Sequence, residues 1–154
     1  MKKLNAIICF MMMQVSVLSA GEPNCSGCDT AKLMLQCEYY VKIKGDLSKK
    51  SFCEEYADAV DNDGSHAKAA WYYLLGGKPD RALPAAKLAI DEGQIYAAEY
   101  AAEASLFFNE YKAAKTYIKM LRKSGMEPQN FRKNLELLKK IYPDTDFDLL
   151  LRME

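Results

Sequence analysis

The chain holds one histidine and one tryptophan in 154 residues, and it has almost none of the Val/Ile/Thr alternation that strands require. The first scarcity leaves no hydrolase signature to assemble. His66, beside the candidate cap Ser65, reads as an ordinary helix-start residue. The second leaves a composition rich in Ala, Leu, Lys, Glu and Tyr, which is that of an all-α protein. Long blocks of like charge are also missing, so nothing points to nucleic acid or an anionic membrane surface as partner. An uninterrupted apolar run of about 20 residues, the length a membrane span needs, is absent as well.

The apolar run that does exist, Leu4 to Leu18, is broken by Asn5, Gln14 and Ser16. Preceded by Lys2 and Lys3 and followed by Ser19-Ala20, it has the form of a secretory signal peptide over residues 1–20. A lipoprotein would carry cysteine where Gly21 stands. The expected mature chain, residues 21–154, is exported to the periplasm and long enough for a single domain with a real core. With Lys2 and Lys3 removed, the 21 basic residues become two fewer than the 21 acidic ones, a net charge near −2 spread along the chain.

Punctuation by Gly, Asn and Ser divides the rest into helices. Asp29 or Thr30 can cap a first helix reaching about Lys44. A second begins near Ser48 or Ser51, where Ser51-x-x-Glu54 has the form of a capping box, and ends at Asp61-Asn62-Asp63-Gly64. These two form an antiparallel hairpin over residues 29–61. Further helices are predicted at about 65–76, 79–92, 94–108, 111–123 and 129–142, and Thr145-x-x-Asp148 caps a last short turn before residue 154. Pro79–Leu83 lies opposite Tyr111–Lys115 at an offset of about 32 residues, aligning Ala82, Ala86 and Ala89 with Ala114, Ile118 and Leu121.

In residues 98–128, Asn109-Glu110-Tyr111-Lys112-Ala113-Ala114 resembles the Gly-Asp-Tyr-x-x-Ala turn of the tetratricopeptide (TPR) repeats, and Pro128 stands near their closing proline. The stretch Ala89-Ile90-Asp91-Glu92-Gly93 and its alanines resemble a Sel1-like unit. Ala98 and Ala102 stand where the family prefers a large residue and a glycine. This resemblance to the TPR and Sel1-like superfamily covers roughly residues 65–128, with 129–154 as capping helices. It implies antiparallel hairpins stacked as a short right-handed solenoid and a protein-binding scaffold. It further implies a concave face lined by Trp71, Glu99, Glu103 and Phe107, an aromatic and acidic patch for a protein partner. The competing reading of Trp71 is a packing residue between the first hairpin and the first repeat. Consecutive helical residues point about 100° apart, so at least one of Trp71, Tyr72 and Tyr73 is expected at the surface.

Cys9 leaves with the leader, and four cysteines remain: Cys25, Cys28, Cys37 and Cys53. An even number in an exported chain argues for two disulfides. Cys37 and Cys53 lie equally far from the turn at Gly45-Asp46, which favours Cys37–Cys53 with Cys25–Cys28. Two functional alternatives compete. Cys25-x-x-Cys28 at a helix start could be a redox-active pair, giving a thiol-disulfide protein or redox-linked chaperone, although the βαβ context of thioredoxin-like enzymes is missing. The spacings fit zinc poorly. Asp61–Gly64 resembles part of a calcium loop, but its first and last ligand slots fall on Ala59 and Ala70, so it reads as a helix-ending turn. No cofactor is expected. The leading expectation is a non-enzymatic periplasmic module that binds another protein, either a component of an envelope or secretion assembly or a toxin that it neutralises.

Overall fold

The computed structural model describes residues 26–125 and 131–153, with side chains in the first helix from Asp29 onward. The expected leader, Cys25, the Cys28 side chain, Pro128 and Glu154 lie outside the described residues. Among those residues there are eight α-helices and no strand: α1 Ser26–Cys37, α2 Ser51–Asn62, α3 His66–Leu75, α4 Pro79–Asp91, α5 Ala98–Phe107, α6 Tyr111–Lys123, α7 Phe131–Ile141 and α8 Asp148–Arg152. Sequence neighbours pack in pairs, α1 on α2, α3 on α4 and α5 on α6, while α3 also lies against α2 and α4 against α5. One apolar cluster runs through all of them, from Cys37 to Leu150.

The stack keeps a regular beat. The left-handed residues that end successive helices, Gly77, Gly93, Asn109 and Gly125, follow one another every 16 residues. Glycine meets no Cβ penalty in that conformation, and asparagine is among the few other residues that tolerate it. Two such intervals make the 32-residue offset between α4 and α6. Ala82 and Ala114, equivalent at that offset, are both fully buried, as the alignment requires of close helix contacts. Gly76 serves a different purpose: a Cβ there would stand 2.9 Å from the backbone nitrogen of Glu54, so α3 approaches α2 as closely as it does only because that atom is absent.

The first hairpin is clamped by a disulfide between Cys37 and Cys53, both inaccessible to solvent, with Cα atoms 4.8 Å apart. That is the favoured pairing and the expected equal height on the hairpin. Two local expectations are corrected. The first helix does not run as α-helix to Lys44; beyond Cys37 it widens into a π turn, Glu38–Ile43, closed by the Lys44 N–H donating to the Tyr39 carbonyl at 2.9 Å. Ser51 does not cap α2, because a 3₁₀ turn at Leu47–Lys49 runs straight into the helix and the Lys50 carbonyl takes up the N–H groups of Cys53 and Glu54. The side-chain cap sits earlier, where Asp46 accepts from the Ser48 N–H at 3.1 Å.

Trp71, Tyr72 and Tyr73 are all buried, at 9%, 8% and 1% exposure, against the expectation that one would reach the surface. The three rings do diverge, but each meets protein. Trp71 stacks on Tyr100 of α5 with centroids 5.6 Å apart. Tyr72 packs edge-on against Tyr56 of α2 at 4.5 Å and donates its hydroxyl proton to Glu38 at 2.6 Å. Tyr73 donates to Asp58 of α2 at 2.8 Å. Eight of the ten residues of α3 are buried, and the helix is enclosed on every side from Ala69 to Leu75.

Candidate binding surfaces

Helical spacing puts Glu99 and Glu103 one turn apart on α5, and the structure brings them into the same region as Trp71 through the Trp71–Tyr100 stack. The exposed patch expected of Trp71, Glu99, Glu103 and Phe107 is not formed. Glu99 is 8% exposed and Glu103 fully enclosed, while Phe107 is half-buried against Tyr142 at 4.5 Å and Phe147 at 5.7 Å. The cover is the C-terminal segment. Asn134 of α7 donates to Glu99 at 2.7 Å, and the Tyr142 hydroxyl donates to the Leu74 carbonyl at 2.7 Å.

The chemistry beneath that cover is unusual. Neither carboxylate oxygen of Glu103 has a hydrogen-bond partner among the described residues. Burial pushes its carboxyl well above the usual range, and the neighbouring Glu99 charge adds to the shift. Burial raises Glu99 too, opposed by the Asn134 hydrogen bond. An isolated ionised carboxylate in an apolar interior is costly, so burial favours the protonated form of Glu103.

Two other polar groupings have packing roles. Arg81 of α4 donates to the Tyr73 hydroxyl at 2.8 Å, pairs with Asp58 at 2.6 Å and lies over the Tyr73 ring at 4.4 Å, tying α4 to α2 and α3. His66 opens α3 with Nδ1 2.7 Å from Asp61 and Nε2 3.5 Å from Glu92, so it joins the ends of α2 and α4. The Asp61–Gly64 segment ends α2, with Gly64 at φ +79°. Among the described residues no group of three or more His, Cys, Asp or Glu side chains is placed to hold a metal ion, and no helix is long and apolar enough to cross a membrane.

What lies open to solvent was not singled out from the sequence. Leu35, Tyr39 and Ile43, at 63%, 47% and 72% exposure, form an apolar row on α1 and its π turn. Their spacing of four residues was visible in the sequence as a second apolar face beside the one carrying Cys37 and Val41. Lys44 lies 5.5 Å from the Tyr39 ring centre, a cation set on one edge of that row. On the same π turn, Lys42 forms one side of a groove of about 590 Å³ whose other side is α7, with Arg132, Lys133, Asn134, Glu136 and Lys140 around the half-buried Leu137. The spacing of three and four residues along α7 marks these as one helix face. No family model, no curated protein and no solved structure matches this chain.

Proposed function

We propose that the chain is an exported, periplasmic helical scaffold that binds another protein, either as an adaptor of an envelope or secretion assembly or as an inhibitor of a toxin acting there. The observation that carries this reading is the row Leu35, Tyr39 and Ile43. Three large apolar side chains stand in water on a helix clamped by a buried disulfide, and aromatic and aliphatic anchors on a rigid support are what protein recognition uses. The 16-residue beat and the paired burial of Ala82 and Ala114 support placing the stack with the TPR and Sel1-like solenoids.

The test is affinity capture from an envelope extract of the source cell with the mature protein as bait. A protein retained by the wild type and lost with Leu35→Ser, Tyr39→Ser and Ile43→Ser combined, at unchanged helical content, is the expected result. The thiol reading makes the opposite forecast. If Cys25→Ser with Cys28→Ser abolishes function while the apolar row can be replaced freely, and the purified protein exchanges a model disulfide, the scaffold reading falls.

A further inference from the structure

The groove between the π turn and α7 has a charge that the chain as a whole does not. Acidic and basic residues balance over the full sequence, yet Lys42, Arg132, Lys133 and Lys140 gather around this one concavity. Its single acid, Glu136, is already engaged by Lys139 at 2.8 Å, and Lys139 is held in turn by Asp148 at 2.7 Å. Lys42 pairs with Glu38 at 2.6 Å, but Glu38 also accepts from Tyr72, so that carboxylate is shared. Arg132, Lys133 and Lys140 have no ion-pair partner among the described residues.

The positions of these cations are fixed from behind. Asn134, which also lines the groove, is anchored by its hydrogen bond to Glu99, and Phe131, Leu135 and Leu138 are buried, which sets the rotation of α7 about its axis. From Arg132 to Lys140 the helix rises about 12 Å, the length of two turns. Across from α7 stands Lys42, which belongs to a π turn, a rare geometry that recurs at functional positions and here follows directly on the disulfide-bonded Cys37. A two-turn, cationic groove with the half-buried Leu137 as its one apolar lining residue fits a helix laid in it better than it fits a flat bilayer.

We propose that this groove is the docking site for an acidic amphipathic helix of the partner protein, its carboxylates meeting Arg132, Lys133, Lys140 and Lys42 and its apolar side covering Leu137. The proposal rests on the protein-binding reading and specifies the partner's chemistry. Such contacts are individually weak and screened by salt, so the affinity is modest and ionic-strength dependent.

The probe is a fluorescein-labelled synthetic peptide of about 16 residues, with leucines at helical spacing and glutamates elsewhere, followed by anisotropy against the mature protein. Micromolar binding is expected. It should weaken about tenfold when every glutamate is replaced by glutamine, and again when NaCl rises from about 50 to about 300 mM. The combined variant Arg132→Glu, Lys133→Glu and Lys140→Glu should lose at least tenfold, with circular dichroism confirming the fold. The control Lys112→Glu, Lys115→Glu and Lys119→Glu, on the exposed face of α6, should change little. Equal binding by the groove variant and the wild type overturns the proposal, as does preference for phosphatidylglycerol vesicles over the peptide. If the peptide fails while partner capture still depends on Leu35, Tyr39 and Ile43, the groove assignment falls and the scaffold reading stands. If capture fails as well, both fall.

Discussion

The first hairpin and the alanine-rich stack hold together by different means. In α1 and its π turn, only Cys37 and Val41 are buried among the described side chains, and three large apolar residues face water. In α3 and α5, eight of ten residues are buried in each helix, and the small side chains of α5 let its neighbours come close. The hairpin relies on a cross-link, which leaves its outer face free to carry side chains that contribute nothing to the core. The stack relies on contact, which leaves its inner helices no face to offer. The exposed apolar row Leu35, Tyr39 and Ile43 therefore stands on the segment where covalent bonding substitutes for packing.

Breaking the cross-link should have the largest effect. Cys37 and Cys53 are 16 residues apart in sequence, and a closed loop of that size restrains the unfolded chain by about 3 kcal/mol. Urea denaturation of the mature protein with and without reductant, and of Cys37→Ala with Cys53→Ala, should show a loss of that order. An unchanged midpoint would mean that packing already holds the hairpin and would dissolve the contrast.

The stack should respond to volume instead. Ala82→Leu or Ala114→Leu forces extra methylenes into fully buried contacts and should cost about 1–3 kcal/mol. Lys112→Leu, on the exposed face of α6, should cost almost nothing by the same measurement. Equal tolerance at all three positions would show that α4 and α6 are not equivalent.

A pH titration sharpens the comparison within the stack. The carboxyl of Glu103 ionises well above its ordinary value of 4.5 when folded, so the folded chain keeps a proton that the unfolded chain releases. The contribution to stability is complete below that ordinary value. It is lost as pH rises toward the folded value, at up to about 1.4 kcal/mol per pH unit. Glu99 shifts in the same direction and adds a smaller share. Glu103→Gln should flatten the fall and gain stability over the wild type at pH 8 but not at pH 4, read as thermal midpoints. The same slope in both proteins would assign it elsewhere.

The smallest effect belongs to the outer face of the hairpin. Leu35→Ser and Ile43→Ser should each alter stability by no more than about 0.5 kcal/mol, as expected for exposed positions away from structural features. A larger loss would show that the row is part of the core and would remove it from consideration as a binding surface.

Much of the architecture was legible because its signals are local. Gly77, Gly93, Asn109 and Gly125 mark helix ends by a backbone conformation that few residues accept, and Cys37 and Cys53 are placed by counting from one turn. The π turn was not legible, since Glu38–Ile43 carries ordinary helical residues and the widening depends on how the hairpin closes. The candidate site was misjudged for a related reason. Glu99, Glu103 and Phe107 do share a helix, but their cover is made by contacts such as Tyr142 with Leu74, separated by 68 positions. No window of sequence contains both partners. The open groove was missed because six of its seven lining residues lie on α7 and the seventh is Lys42, and periodicity within either segment says nothing about the other.

The only tryptophan of the chain lies at the junction of α3 and α5, its ring tilted 32° against Tyr100. That placement gives the molecule an intrinsic optical probe at one defined seam. Emission from Trp71 reports whether these two helices remain in register, with no label introduced and no competing indole elsewhere. Events at the stack can thus be followed separately from events at the hairpin, whose sensitive element, the disulfide, is monitored by thiol counting.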